Sequence, residues 1–452
     1  MMFKNKSSNK AVTLFLIGLV FFSLMVRLLF FFSFTRYGSN AWIPFDSEQY
    51  FQLINNICAS NGFCFEPGIP QAYRLPGYPL FLAPLYVFFG LQGALVVQIV
   101  IASFVPLLIF YVSRSVLPQM WSVAIIAACV ASIHPGFVLY SGMFATELLA
   151  VVMLLIFFIL LFRALQGQAS SLLCAGIALG VASLMRPVGH YVLALALALL
   201  LITCHEKLWR VATVCVGWLI VVMPWLARNY LLYGALFFHT LPGLHFLQYL
   251  AAPIVEQRDH CLYLKARSQV LAQWETAIRH EESVQQRALN EYEKCCCGQH
   301  LATTYVLQHP WLACKHVCRE LFKTCAGLYS AIILLADNAA WPAYTASTSW
   351  WTKIQRFLIP QVKRPFLIPY IYLDILVTIL SLVGLFLFVL AGAFDGALRA
   401  AVIQLLPFIV LFIGLTLAYG GARLRMPAEP LILISAVCGW CWLYKKIQMW
   451  CV

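Results

Sequence analysis

Charge is sparse in this chain, and the few ionisable residues beside apolar runs are its candidates for acid–base and phosphate-binding roles. Asp46 follows the first long apolar run in Pro44-Phe45-Asp46-Ser47-Glu48-Gln49-Tyr50. Asp46 and Tyr50 stand at i and i+4, so they face the same way if the segment is helical. Arg74 follows in the same polar stretch, in Ala72-Tyr73-Arg74-Leu75-Pro76-Gly77-Tyr78-Pro79-Leu80. Glu147 stands in Phe144-Ala145-Thr146-Glu147-Leu148-Leu149, before an apolar run. An ionisable residue at the end of a span in so apolar a chain is a functional candidate by default. Further arginines sit at span ends in Arg186-Pro187, Pro224-Trp225-Leu226-Ala227-Arg228-Asn229 and Arg423-Leu424-Arg425-Met426-Pro427. Several guanidinium forks close to a membrane surface would seat a lipid-linked phosphate. Each residue also has a plainer account. Asp46 would cap a helix running toward Asn56, the better explanation from spacing alone. Glu147 would complement a helix dipole, and Arg74 would snorkel to the interface.

The elements that must position these residues follow from composition. Of 452 residues, 62% are hydrophobic and only 10% charged, against about a quarter charged in ordinary soluble domains. The chain is therefore a polytopic, all-α membrane protein. Runs long enough to cross about 30 Å of hydrocarbon occur near 11–33, 92–112, 120–140, 147–163, 171–186, 188–204, 211–228, 367–391, 400–418 and 428–444, which makes about ten spans. The first is too long for the core of a signal peptide, and no small-residue cleavage site follows it, so it reads as an uncleaved span. Leu80 to Gly90 is too short to span and fits an interfacial or re-entrant helix.

Lys and Arg in short loops set the orientation. Lys4, Lys6, Lys10, Arg114, Arg163, Lys207, Arg210, Arg399, Lys445 and Lys446 fall on one side, the cytoplasmic one. Loops 35–91, 141–146, 228–366 and 419–427 then lie outside. An apolar stretch, Leu321 to Ala336, is followed by Lys353, Arg356, Lys363 and Arg364; if it spanned, every later helix would reverse. Lys323 interrupts it, and long loops largely escape the charge rule, so ten spans are preferred. Three regions result: 1–228, a transmembrane module whose first outside loop is 35–91; 229–366, an outside helical layer; and 367–452, the last transmembrane helices. The formal charge of +13 lies mostly beside apolar runs, where anionic headgroups attract it, so nucleic acid is not a partner.

Other residues are less telling. Many of the 16 cysteines sit in apolar runs and behave as small hydrophobes. Cys58 and Cys64 share a loop and could pair in an oxidising compartment. Cys295-Cys296-Cys297 and Cys314/Cys318 around His316 resemble zinc ligands but match no trusted spacing. No metal site is assigned, and no ligand cluster supports a divalent cation. Asp374, inside a span, suggests an interhelical hydrogen bond; Arg27, inside the first span, has no account from sequence.

Taken in order, these motifs resemble the GT-C fold glycosyltransferases, and more narrowly the family 39 transferases, such as protein mannosyltransferases and the aminoarabinose transferase of lipid A. The first-loop acid, Tyr73 to Ala83, Thr146-Glu147, Leu184-Met185-Arg186-Pro187, Pro224-Trp225 with Arg228-Asn229, and Arg423 to Pro427 recur in that order. The resemblance implies a GT-C-like fold with a cavity at the outer membrane face. It implies a polyprenyl-phosphate sugar as donor, a lipid, glycan or protein as acceptor, no cofactor, and location in a bacterial inner membrane with the site facing the periplasm. Carried over, Asp46 and Glu147 are the catalytic acids, and Tyr50, Arg74, Arg228, Arg423 and Arg425 bind substrate. Ser47 stands where protein mannosyltransferases have a second acid, which makes a glycan or lipid acceptor the better expectation. A carboxylate near the acceptor would serve as general base and arginines would stabilise the departing phosphate, by single displacement with inversion. A transporter or flippase would use the same arginines without bond chemistry, and a structural envelope subunit would need none of them. Acids at span ends on one face favour the enzyme, since transporters more often place them mid-membrane.

Overall fold

The computed structural model describes residues 6–35, 46–203, 208–331 and 367–450, and most of these are helical. The ten expected apolar runs are mostly helical where they are described. Among the described residues, seven helices are long and apolar enough to cross a membrane, and an eighth span results if a bent pair is joined. Leu172–Met185 and Val188–Thr203 are shorter apolar helices. Helices apolar on every side belong in lipid or in a protein core, and hydrogen bonding within each segment is what lets them cross hydrocarbon.

Two runs differ in detail from the expectation. The 92–112 run is not one unbroken helix: Gly77–Ala102 ends at Ser103 and Val105–Val116 resumes. The first of these helices takes in the short stretch expected to lie apart, with a kink at Gly90, whose φ of +65° suits only glycine without strain. The 120–140 run is bent by 48° between Trp121–Ile133 and Pro135–Ser141, because Pro135 has no N–H to continue the ladder. This bend accounts for Arg27. It is fully buried, and its guanidinium donates to the Ser132 carbonyl, at the end of the broken helix, and to the Ser23 carbonyl, both at 3.1 Å. A carbonyl freed by a helix break within the membrane needs a donor, and Arg27 supplies it. Asp374 likewise accepts from the backbone N–H of Ser330 at 2.7 Å, so it holds a connecting segment rather than a neighbouring helix.

The region after the span Leu208–Tyr233 is a helical layer. It comprises Leu241–Phe246, a π-helical turn Leu247–Ala251, Ala252–Arg258, Tyr263–Gln285, Glu291–Gln308 and Pro310–Ala326. Its own core gathers Leu247, Ile254, Val255, Val270 and Tyr305. Asn290 and Glu293 form a capping box that starts Glu291–Gln308. Within the stretch Leu321 to Ala336, the helix Pro310–Ala326 ends at Ala326. Residues 332–336, Lys353, Arg356, Lys363 and Arg364 lie outside the described residues, as do Lys4 and Lys207. A two-stranded ribbon, Cys64–Glu66 with Ile69–Pro70, interrupts the first loop. Cys58 and Cys64 are both free thiols.

The three longer loops assigned to one side do meet at one end of the bundle. The Thr240 N–H donates to the Ala72 carbonyl at 3.0 Å, and the Ala72 N–H donates to Glu291 Oε2 at 2.8 Å. Glu320 Oε2 accepts from the Gly420 N–H at 2.9 Å. The first loop, the helical layer and the loop before the last helix therefore form one continuous polar layer.

Candidate functional site

Asp46 immediately precedes the helix Ser47–Cys58 but does not cap it: its side chain makes no capping hydrogen bond. The carboxylate turns instead to two arginines. Oδ1 accepts from Arg74 at 2.7 Å and Oδ2 from Arg423 at 2.8 Å. Arg423 also pairs through Nε with Glu147 Oε1, which in turn takes Arg186 at 2.5 Å. Five charged side chains from four separate parts of the chain thus form one line, Arg74–Asp46–Arg423–Glu147–Arg186. Three cations and two anions leave it with a net charge of +1.

Local folding explains each position. Ser47 donates to the Phe144 carbonyl at 2.7 Å, which locks the start of its helix to the turn before Glu147. Tyr50, one turn on, is buried and packs edge-on to Tyr78. Arg74 is held by Gln49 Oε1 at 2.8 Å, and its own N–H donates to Gln71 Oε1 at 3.0 Å. Its guanidinium lies 5.3 Å from the Tyr50 ring centroid and 5.2 Å from that of Tyr73. Gly77 lets this loop approach the Leu184 and Met185 backbone, where a Cβ would come within 2.7 Å of the Leu184 carbonyl oxygen. That contact brings Tyr73 to Pro79 beside Arg186.

The two acids have different surroundings. Glu147, the first residue of the helix Glu147–Leu165, is sealed at 0% exposure, whereas the Asp46 side chain is 32% exposed. Burial works to raise the Asp46 carboxyl, but the guanidiniums of Arg423 and Arg74 outweigh it and hold it down at about 2. The same pairing, with Glu147, outweighs burial at Arg423 and keeps its guanidinium firmly charged. His245 is pushed down to about 4 by burial and then by Arg74, so it stays neutral at neutral pH. Its ring meets Tyr249 edge-on with centroids 5.2 Å apart, and Tyr249 meets Tyr419 at 4.4 Å.

Of the residues singled out from sequence, the structure brings together Asp46, Glu147, Tyr50, Arg74 and Arg423. It does not bring Arg228 or Arg425 to them. Arg228 lies over the Trp225 ring at 4.6 Å and donates to Asn229 and the Phe63 carbonyl. Arg425 is buried; it pairs with Glu429 at 2.7 Å and donates to the carbonyls of Thr324, Cys325 and Gly327. It therefore braces the loop that carries Arg423. Arg186 joins the site through Glu147 although the motifs assign it no role there, and its opposition to the positive-inside tendency is the signal the sequence offers. His245 and Gln49 carried no signal at all. Among the described residues no group of three or more His, Cys, Asp or Glu is placed to hold a metal.

The sequence matches no protein-family model, and no curated protein matches it. Solved structures do match. The apo oligosaccharyltransferase of Archaeoglobus fulgidus aligns with a TM-score of 0.54 at 12% identity, over 100% of this chain and 52% of that one. The same organism's oligosaccharyltransferase AglB, in complex with an inhibitory peptide and a dolichol-phosphate, aligns with a TM-score of 0.51 at 14% identity, over 96% and 50%. A form tethered to an acceptor peptide containing the NVT sequon gives 0.51 at 13%, again over 96% and 50%. This chain spans about half the length of these three structures. It has the GT-C fold and is an integral, multi-pass membrane protein. The likeness reaches the fold; the narrower resemblance to family 39 rests on motif order alone.

Proposed function

We propose that the chain is a GT-C glycosyltransferase of the family 39 kind, which moves a sugar from a polyprenyl phosphate to a glycan, lipid or protein acceptor. One observation carries this reading above the others. A partly exposed carboxylate is held between two guanidiniums beside a polar layer at one end of the bundle. That is a base for a hydroxyl next to a seat for a phosphate. The matched fold supports it, since the structures that share it are an oligosaccharyltransferase and the same kind of enzyme in complex with a dolichol-phosphate. The site would face the outside of a bacterial inner membrane, as the Lys and Arg distribution suggests.

In this mechanism Arg74 and Arg423 turn toward the donor phosphate and loosen their hold on Asp46. A carboxylate kept at about 2 is a poor base; one that has lost its guanidiniums to a phosphate recovers basicity. Donor binding thereby arms the acid. The acceptor O–H proton passes to Asp46, the acceptor oxygen forms a bond to the anomeric carbon, and the bond from that carbon to the phosphate oxygen breaks. The electron pair leaves on the phosphate, where the arginines stabilise it, and the anomeric configuration inverts. Glu147, sealed from substrate, serves to aim Arg423 and Arg186. Tyr50 supports Arg74 from below.

The test is transfer from a polyprenyl-phosphate sugar in proteoliposomes. Arg74→Ala is expected to raise the donor KM about tenfold or more while the protein stays folded, the cost of losing one charged hydrogen bond. Arg74→Lys is expected to rescue only part, because a point charge cannot reproduce the fork that holds Asp46 and Gln49 together. An unchanged donor KM in the alanine variant would return Arg74 to an interfacial role.

The pH dependence has a definite sign. Asp46 is depressed in the folded protein, so its pairing stabilises the fold above the ordinary carboxylate range and is lost as pH falls toward about 2. The acid limb of kcat/KM for the donor reports the free enzyme, and Asp46 should not appear in it near neutrality. The acid limb of kcat, which reports the donor complex, should lie at higher pH than that of free Asp46. Coincident acid limbs would mean that the donor does not release the acid.

A further inference from the structure

The helix Pro310–Ala326 is inside out. Its buried side carries His316, Glu320 and Thr324, one per turn, while Trp311 is 76% and Phe322 72% exposed. Cys314 and Cys318 are exposed between them. A helix facing water on its outer side would show the opposite order.

The polar side is tied down along its length. His316 Nε2 lies 2.7 Å from the Tyr249 carbonyl and 3.1 Å from that of Ala418. Glu320 Oε2 accepts from Gly420, and the hydroxyls of Thr324 and Thr416 meet at 2.8 Å. Rotating the helix to bury Trp311 and Phe322 would break all of these, so the apolar face is held outward.

Beside that face run Lys315, Arg319 and Lys323, four residues apart. Glu320 neutralises part of the row, taking Arg319 at 3.2 Å and Lys323 at 2.7 Å. Three cations less one carboxylate leave a local charge of +2. The height of the helix in the molecule is also defined. Thr416 follows the end of the span Gly396–Gly414. Just past the helix, Ser330 reaches Asp374 in the span Ile368–Phe394, and Tyr329 donates to Glu429, which opens the last span, at 3.0 Å. The C-terminal end of Pro310–Ala326 therefore lies where three spans approach the surface.

We infer that Pro310–Ala326 is an interfacial helix that binds anionic lipid. Trp311 and Phe322 enter the boundary between headgroups and acyl chains, where aromatic side chains are favoured. The row Lys315, Arg319 and Lys323 lies against lipid phosphates, which attract basic residues at a membrane surface. The partner is the bilayer itself, recognised by negative charge next to hydrocarbon. This does not depend on the transfer reaction.

The test uses the full-length protein in liposomes of phosphatidylcholine with photoreactive phosphatidylglycerol, and in liposomes where the photoreactive lipid is phosphatidylcholine instead. Cross-links are mapped by mass spectrometry. Residues 311–323 are expected to take the anionic probe about fivefold more than the zwitterionic one for each effective charge in the row. Lys315→Gln should lower that preference about fivefold while cross-linking to both lipids persists, and Lys323→Gln is a second variant. Hydroxyl radicals generated in the water should oxidise Trp311 and Phe322 weakly. Equal cross-linking by the two probes would overturn the anionic preference. Strong oxidation from water would overturn the interfacial position. Protection from both lipid and water would mean that protein covers the face, and would also overturn it.

Discussion

Asp46→Asn is expected to reduce transfer from a polyprenyl-phosphate sugar by about 10² to 10⁴, the usual contribution of a positioned base. Asparagine keeps the size and the capping ability of aspartate, so a helix-cap role would leave turnover nearly normal. That role is already weakened, because the carboxylate makes no capping hydrogen bond and bridges Arg74 and Arg423 instead. Removing its charge leaves Arg74 without a counter-ion and Arg423 with Glu147 alone, so donor phosphate should bind at least as well as before. The expected pattern is a collapsed kcat with a donor KM unchanged or lowered, measured on samples whose thermal stability is followed in parallel. Asp46→Glu should keep part of the rate, and Glu48→Gln should keep nearly all of it. Near-normal turnover in Asp46→Asn would remove the base from the mechanism and favour a transporter using the same arginines.

Glu147→Gln is expected to act chiefly on stability and arginine placement. Glu147 is fully buried and accepts from Arg423 and Arg186 through the same oxygen. Breaking a buried ion pair by removing one partner costs about 3 to 5 kcal/mol, since the other charge stays behind without compensation. Arg423 is partly exposed and keeps Asp46, so the lower end, about 3 kcal/mol, is expected. Denaturation of detergent-solubilised protein measures it. Because Arg423 loses its anchor, the donor KM should rise with the loss of stability, and Glu147→Asp should be little better, since its carboxylate is one methylene too short. A protein of wild-type stability whose kcat alone collapses would show Glu147 to be a reacting acid, and the roles of the two carboxylates would have to be exchanged.

The resting site also illustrates why an acid of low affinity for protons suits a base of conditional strength. Arg74 and Arg423 suppress Asp46 until an anion competes for them. A polyprenyl phosphate is such an anion, and a neutral acceptor is not. Proton abstraction would then follow donor binding, which limits wasteful attack by water.

The order of amino acids reveals the membrane class and the approximate span limits, because lipid demands long apolar helices whatever their neighbours. It also marked Asp46, Arg74, Glu147 and Arg423, because charge is rare enough in this chain for each instance to stand out. It could not pair them. Asp46 and Arg423 are far apart in the chain and meet only because the first loop and the last connection pack at one end of the bundle. Nor could it separate Arg423 from Arg425, two residues apart in one motif: a short helical turn sends one to Asp46 and Glu147 and the other into the interior toward Glu429. Arg27 was unreadable for the same reason, since its partner is a carbonyl released by a bend at Pro135. Apolar periodicity records what faces lipid, a local property of each segment. The direction of a guanidinium depends on which distant backbone or carboxylate folding brings within reach.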